Sequence, residues 1–242
     1  MTIATSQPSP LLVSVIVTCY NRQAYLAEAL DSILAQRFTG YEIVLVDDGS
    51  TDDSARIAAE YAERHRGCLR YHHQPNQGAA AAKNSGVQLA AGRYLAFLDS
   101  DDIWTPEKLE TQMRDAGSRP DIRIRYAHGR QFLSPELAPD QRARLHCPEQ
   151  PMPAPTTGTL LIERADFLRI GGFRSDLRVG IDIEWHLRAR ASGMAMATLP
   201  EVLLLRRVHP GNSGFTERDA RKQHSAILKE HLDRIRARAP SR

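Results

Sequence analysis

Three carboxylates, Asp99, Asp101 and Asp102, close an apolar run in the segment FLDSDDIW. Carboxylates this close repel one another, and in a cleft desolvation raises their pKa values unless a cation or hydrogen-bond donors offset the charge. The Asp-x-Asp spacing suits Mg²⁺ or Mn²⁺, which take oxygen ligands and commonly combine one or two carboxylates with substrate phosphates. A competing reading makes these residues a solvated turn, with Asp102 capping a helix that starts near Thr105-Pro106. Asp47-Asp48-Gly49-Ser50 forms a second acidic turn, and GIDIEWHLR sets Asp182 and Glu184 at a helix start. There a carboxylate either favours the helix dipole or serves as a general base. His209, in RRVHPGNSG, precedes Gly211 and Gly214, which give its loop freedom to move.

These groups need elements to position them. Leu11 to Val17 (LLVSVIV) is a β-branched run suited to a strand buried on both faces of a parallel sheet. Tyr25, Leu26, Ala29, Leu30, Ile33 and Leu34 follow at helical spacing, with Asn21 as N-cap. Tyr41 to Val46 repeats the strand, with Ser50 placed to cap the next helix. A third unit joins Leu69 to His72, the Ala-rich Gly78 to Leu89, and Arg93 to Leu98. Three βα units predict an open, mostly parallel sheet, in which ligands bind beyond the carboxyl ends of the strands. Thr18 to Asn21, Asp47-Asp48 and Asp99 to Asp102 all follow strands, so they are expected to meet in one crevice.

The second half is less regular. A short helix starts at Pro106, Ile122 to His128 reads as a strand, and the proline-rich residues 134 to 157 read as loop. Helices are expected over Glu163 to Ile170, stopping at Gly171-Gly172, and over Ile181 to Ala191. Ala195 to Arg207 reads as two strand-like runs broken by Pro200. Thr216 to Arg238 reads as a basic helix whose narrow apolar side, Ile227, Leu228, Leu232 and Ile235, either packs on the domain or meets an anionic membrane surface.

Composition narrows the function. A chain of 242 residues with 42% hydrophobic content can bury a core, and its net charge of +3 fits an anionic ligand without a nucleic-acid footprint. Cys19, Cys68 and Cys147 have no metal-type spacing and predict no disulfide framework, so a reducing compartment is expected. The first ten residues lack the basic start of a leader, and Leu11 to Val17 is far shorter than the ~20 residues of a membrane span. The expectation is a soluble, cytoplasmic protein, peripheral to the membrane if its C-terminal helix binds there. Residues 17 to 24 read VTCYNRQA, so neither a dinucleotide fingerprint nor a phosphate-binding P-loop follows the first strand. Adjacent His72 and His73 point to opposite faces of a strand and make a poor chelating pair. Trp104 and Trp185 flank the acidic sites, where they either stack on a sugar or pack.

The combination of SVIVTCYNRQAYLAEALDSILAQ, YEIVLVDDGSTDDS, NQGAAAAKNSGVQLAAGRYLAFLDSDDIW and GGF…GIDIEWHLRARASG resembles family 2 glycosyltransferases of the GT-A fold. The likeness spans roughly residues 12 to 215 and thins between 115 and 155. It implies inverting transfer of a sugar from a nucleotide-sugar donor, UDP-linked by preference, to an acceptor hydroxyl. It further implies that Thr18, Tyr20 and Asp48 hold the nucleobase, with Asp47 shaping the turn. Asp99 then lies at the ribose with Ser100 beside it, and Asp101 ligates a divalent Mn²⁺ or Mg²⁺ bridging the diphosphate. Lys83 stands where the family often has Arg, replacing a fork by a point charge toward phosphate. Asp182 falls at the family's base, with Ile181 in place of the commoner Glu and Glu184 as second choice. His209 resembles a late histidine presented to the metal or diphosphate.

The expected layout is one GT-A domain of two abutting lobes, a Rossmann-like open sheet flanked by helices. A tail covers residues 1–10, a donor lobe 11–105, an acceptor lobe 106–215, and a basic helix and tail 216–242. The acceptor stays open among glycan, lipid-linked, peptide and small-molecule classes. A non-catalytic nucleotide or glycan binder is the rival reading, and a sugar-1-phosphate nucleotidyltransferase, which should carry a glycine-rich basic loop after the first strand, is a second.

Overall fold

The computed structural model describes residues 12–148, 150–212, 224–231 and 233. Apolar strands β1 (Val13–Cys19), β2 (Tyr41–Asp47) and β4 (Tyr94–Asp99) lie side by side and parallel, with β3 (Leu69–His73) outside β2. Helices α1 (Leu26–Leu34), α2 (Ser54–Arg64) and α3 (Ala79–Leu89) make the crossovers. The period of two along each strand divides the core. Val13, Val15, Val17, Ile43, Leu45, Ala96 and Leu98 face α1, α2 and α4 (Lys108–Ser118). Ile16, Val44, Val46, Leu95 and Phe97 face α3, α6 (Arg164–Ile170) and α7 (Ile181–Ala191). Both sheet faces are covered, which is why these strands lack polar alternation.

α3 lies against β1 because Gly86 leaves no side chain between them. A Cβ there would sit 2.4 Å from Cγ2 of Ile16, a distance that packed atoms do not tolerate.

Beyond β4 the sheet becomes mixed. Its order is β3-β2-β1-β4-β8-β6-β9-β5, where β5 is Ile103–Trp104, β6 Ile124–Leu133, β8 Leu161–Glu163 and β9 Met196–Val208. β8 is antiparallel to β4 and β6, β9 is parallel to β6, and β5 pairs antiparallel with β9. This puts Asp99–Asp102, between β4 and β5, near the far end of β9, which delivers His209.

Several local expectations are corrected. Asn21 does not cap α1. Its backbone is left-handed at φ 51°, and the helix begins only at Leu26. Ser50 does not cap α2, which starts at Ser54, because its hydroxyl instead accepts the Asn21 N–H at 3.0 Å. Residues 134–157 are not all loop, since they hold α5 (Pro139–Arg144) and β7 (Met152–Ala154), which pairs with β6. Nor does Pro200 divide β9. The register passes from Ala127↔Leu199 to His128↔Val202, leaving Pro200 in a bulge where its missing N–H costs no ladder bond. Ile181–Ala191 and the stop of α6 at Gly171, φ 97°, are as read from the sequence.

Of the C-terminal helix, residues 224–231 are described and helical. Ile227 is buried, Leu228 is half exposed, and Glu230 pairs with Arg174 at 2.6 Å. Leu232 and Ile235 lie outside the described residues. No helix among the described residues is long and apolar enough to cross a membrane.

Candidate functional site

Four strand ends, β1, β2, β4 and β9, and two helices, α3 and α7, supply the expected residues. β1 ends at Thr18 and Cys19, with Tyr20 in the following loop nearly half exposed and open to stacking. β4 ends at Asp99, and a tight turn follows in which the Asp102 N–H donates to the Asp99 carbonyl at 3.0 Å. β9 leads into His209, and α7 presents Asp182 in its first turn.

Asp101 meets groups from two other loops. Its Oδ2 faces Nε2 of His209 at 3.1 Å, Nε of Arg22 at 3.3 Å and Nδ2 of Asn212 at 3.5 Å. Burial pushes its pKa up, but the His209 contact and the charge of Arg22 outweigh this and hold it below the usual range. Nδ1 of His209 accepts the Gly211 N–H at 3.1 Å, so the ring proton belongs on Nε2, aimed at Asp101. Asn212 secures this loop by accepting the His209 N–H at 2.7 Å.

Lys83 is buried on α3 and pairs with Asp99, whose side chain is nearly half exposed. Burial alone would lower the lysine pKa, but Asp99 and then Asp182 overcome it, and the ammonium is held above its ordinary value. Asp182 is raised, by burial first. Lys83 works against that rise, Asp99 adds to it, and the nearby Thr157 opposes it. The ammonium thus pairs with Asp99, and its charge also reaches Asp182. A carboxyl with a raised pKa, steadied by a lysine, is suited to taking up a proton.

Asp48 is buried and heavily bonded. Oδ1 accepts from Gln74 Nε2 at 2.8 Å and the Gln77 N–H at 2.9 Å, and Oδ2 accepts the Gly78 N–H at 2.8 Å. Asp47 is the turn-former, its Oδ1 accepting the Ser50 N–H at 2.9 Å, and its Oδ2 meets Tyr71 and His73. Ser100 is buried within the acidic turn. Asp102 is no helix cap. Its Oδ1 accepts the Arg207 N–H at 2.9 Å, and burial, then Asp101 and Asp99, push its pKa well up.

Glu184 is buried and meets Arg188 Nε through both oxygens, at 2.8 and 2.9 Å. Arg188 in turn donates to the carbonyls of Ile170, Gly171 and Gly172. Both tryptophans are buried in packing. Trp104 donates to the Gly158 carbonyl at 2.8 Å under Nζ of Lys108, and Trp185 stacks on Phe167 with centroids 5.2 Å apart.

Sequence reading missed Arg22, Thr157, Arg207 and Asn212. Arg22 is part of the VTCYNRQA segment, but nothing local indicates that it reaches Asp101. Arg207 is buried and donates to the Asp101 carbonyl at 3.0 Å and to Glu28, bracing the acidic turn.

Among the described residues no group of three or more His, Cys, Asp or Glu is arranged to hold a metal. Asp101 and His209 offer one oxygen and one nitrogen on converging atoms. That set suits Mn²⁺ or Mg²⁺ when phosphate oxygens complete the shell, and ligation through Nε2 would require its proton to leave.

Residues 14–171 match the family model described as Glycosyl transferase family 2. An uncharacterized glycosyltransferase of Rickettsia typhi is 29% identical over 236 residues, 93% of this chain and 72% of that one. Another, of Rickettsia felis, is 44% identical over 102 residues, 42% of this chain and 17% of that one, so the chain spans only a small part of it. Among solved structures, S. aureus TarS in complex with UDP-GlcNAc superposes with a TM-score of 0.75 at 19% identity, over 96% of this chain and 68% of that one. The mannosyltransferase PcManGT from Pyrobaculum calidifontis, in complex with GDP-Man and Mn²⁺, gives a TM-score of 0.69 at 20% identity, over 97% and 67%. At these identities the two structures show the shared GT-A fold.

Proposed function

Because this chain belongs to glycosyl transferase family 2, we propose that it transfers a sugar from a nucleotide-diphosphate-sugar donor to an acceptor hydroxyl, with inversion and with a divalent cation. The observation that carries the reading is the contact of Asp101 with His209 and of Lys83 with Asp99, with Asp182 near enough for the lysine charge to act on it. On this reading the cation-binding and proton-accepting groups share one crevice.

In the proposed reaction Asp182 accepts the proton of the acceptor hydroxyl as its oxygen bonds to the anomeric carbon from the face opposite the leaving group. The bond from that carbon to the diphosphate oxygen breaks, and the electron pair leaves with the nucleoside diphosphate. Lys83 supplies positive charge beside Asp99 toward that leaving group. Asp101 and His209 would hold the divalent ion, which supplies charge neutralisation at the diphosphate when bound. Thr18, Tyr20 and Asp48 form the nucleobase side, with Tyr20 open to stacking; a carboxylate offers about four acceptor positions, and Asp48 has three occupied, so it contributes one more acceptor at most. Asp99 and Ser100 lie toward the ribose.

UDP-sugars are the proposed donors. TarS is solved with UDP-GlcNAc and PcManGT with GDP-Man, so the base is the point to test. The donor lobe is proposed over 11–105 and the acceptor lobe over 106–215. A cytoplasmic location, with the C-terminal basic helix touching a membrane surface, goes with a lipid-linked acceptor. Burial of Ile227 and the Arg174–Glu230 pair favour packing for the described part of that helix.

The test is a thermal-shift panel of UDP, GDP, TDP and CMP with Mn²⁺, Mg²⁺ or EDTA, followed by slow donor hydrolysis with Mn²⁺. A ligand that binds only the folded state raises its stability. A shift with one nucleotide, abolished by EDTA, supports the reading. Folded protein that shifts with none and hydrolyses no donor rejects it in favour of a non-catalytic relative.

A further inference from the structure

Arg22 lies outside the residues assigned above, yet its guanidinium reaches the acidic turn. Nε donates to Asp101 Oδ2 at 3.3 Å, Nη1 to the carbonyls of Tyr20 and Asn21 at 3.3 and 3.1 Å, and Nη2 to the Gly211 carbonyl at 3.2 Å. One side chain thus joins the loop after β1, the acidic turn after β4 and the loop after β9.

Its backbone is fixed independently of those contacts. Asn21 takes the left-handed conformation that Asn tolerates better than most residues. Its N–H donates to Ser50 Oγ at 3.0 Å, its Oδ1 accepts the Thr51 N–H at 2.8 Å, and the Arg22 N–H donates to Ser54 Oγ at 2.8 Å. The loop is anchored to the turn after β2, and the strained residue aims Arg22 at Asp101.

All four guanidinium bonds are longer than the ~2.7–2.9 Å of a tight charge-assisted bond. Asp101 Oδ2, the oxygen Arg22 holds, is also the one facing His209. A cation entering between Asp101 and His209 at that oxygen meets Arg22 as a competing positive charge.

We propose that Arg22 is the resident counter-cation of Asp101: it competes with a divalent ion for this carboxylate in the free protein and, once displaced, adds its positive charge to the binding of a nucleoside diphosphate. The inference rests on the donor-binding reading above. Its consequence is that ion and nucleotide bind together more readily than the ion binds alone.

The test uses the full chain and three proteins: wild type, Arg22→Gln, and a control, Arg206→Gln. Arg206 is exposed and acts on Asp102 through charge without a hydrogen bond to Asp101. Mn²⁺ binding without nucleotide is measured from the electron paramagnetic resonance signal of free Mn²⁺, and UDP and GDP binding at saturating Mn²⁺ by calorimetry. Arg22→Gln should bind Mn²⁺ alone about tenfold more tightly, as loss of a partly buried charged competitor allows, and bind the nucleotide about tenfold more weakly. Arg206→Gln should change either affinity by less than about twofold at moderate salt. The proposal is overturned if Arg22→Gln binds Mn²⁺ no more tightly than wild type, or if Arg206→Gln tightens it equally, which would make the effect one of net charge. Arg22→Met serves the same comparison should the Gln variant not fold. A wild type that binds neither nucleotide rejects the donor-binding reading, while the Mn²⁺-only comparison still decides the competition.

Discussion

Asp48→Asn separates a base-reading carboxylate from a structural one. Asp48 accepts three hydrogen bonds between 2.8 and 2.9 Å from the segment that leads into α3, and one of those donors, the Gly78 N–H, belongs to the N-cap of that helix. An asparagine keeps the Gln74 and Gln77 bonds through its carbonyl but turns an NH₂ toward the Gly78 N–H, donor against donor. Hydrogen bonds to a charged acceptor contribute ~1.5–3 kcal/mol each and neutral ones ~1 kcal/mol. Gly78 is exposed, so water recovers part of the lost bond. Loss of one charged bond, weakening of two and a reduced interaction with the helix dipole sum to about 2–3 kcal/mol. For a chain of this size that corresponds to a fall in Tm of about 5–10 °C. The assay is thermal denaturation of nucleotide-free protein, with UDP and GDP titrations alongside. A variant that melts within about 1 °C of wild type would refute the reasoning that these bonds stabilise the approach to α3, and unchanged nucleotide preference would remove Asp48 from the nucleobase side.

The other predictions concern the proton acceptor and its neighbours. Asp182→Asn should leave nucleotide binding with Mn²⁺ intact and slow sugar transfer by ~10²–10⁴-fold, the usual contribution of a general base; unchanged turnover would remove it from that role. Activity requires ionised Asp182, so the transfer rate should fall as pH drops through its raised pKa. Its effect on stability runs the other way: the folded state holds this proton more tightly, so the contribution is present below the ordinary carboxylate range and lost as pH rises through the raised value. Lys83→Met removes the ammonium that opposes the rise, so the acid limb of the pH–rate profile should move to higher pH, and an unmoved limb would break the link between Lys83 and Asp182. Glu184→Gln disrupts a buried pair with Arg188, whose side chain is partly exposed, and should cost about 2 kcal/mol in denaturant unfolding. Transfer per folded molecule should hardly change; a large fall in kcat at undiminished stability would move the base role to Glu184.

Much of this was legible in the chain itself. Apolar runs at Val13–Cys19, Tyr41–Asp47 and Tyr94–Asp99, alternating with helical periodicity, dictate parallel strands, because a strand buried on both faces reads as continuous apolar sequence. Strand ends followed by Asp47-Asp48 and Asp99 to Asp102 then placed the acidic turns at the carboxyl ends of parallel strands. The start of α7 at Ile181 and the stop of α6 at Gly171 were legible for the same local reason.

What the tertiary structure alone decided is which partner each polar group meets. Arg22 and Asp101 lie 79 positions apart and His209 and Asp101 108 apart, brought together by a sheet order that carries β9 back past the acidic turn. Asp48 and Glu184 look as available in the sequence as Asp101 and Asp182, yet in the fold one is bonded into the approach to α3 and the other paired with Arg188. Local spacing determines backbone conformation and burial because it acts over a few residues. The charge state and use of a side chain depend on groups within a few ångströms, and most of those arrive from elsewhere in the chain.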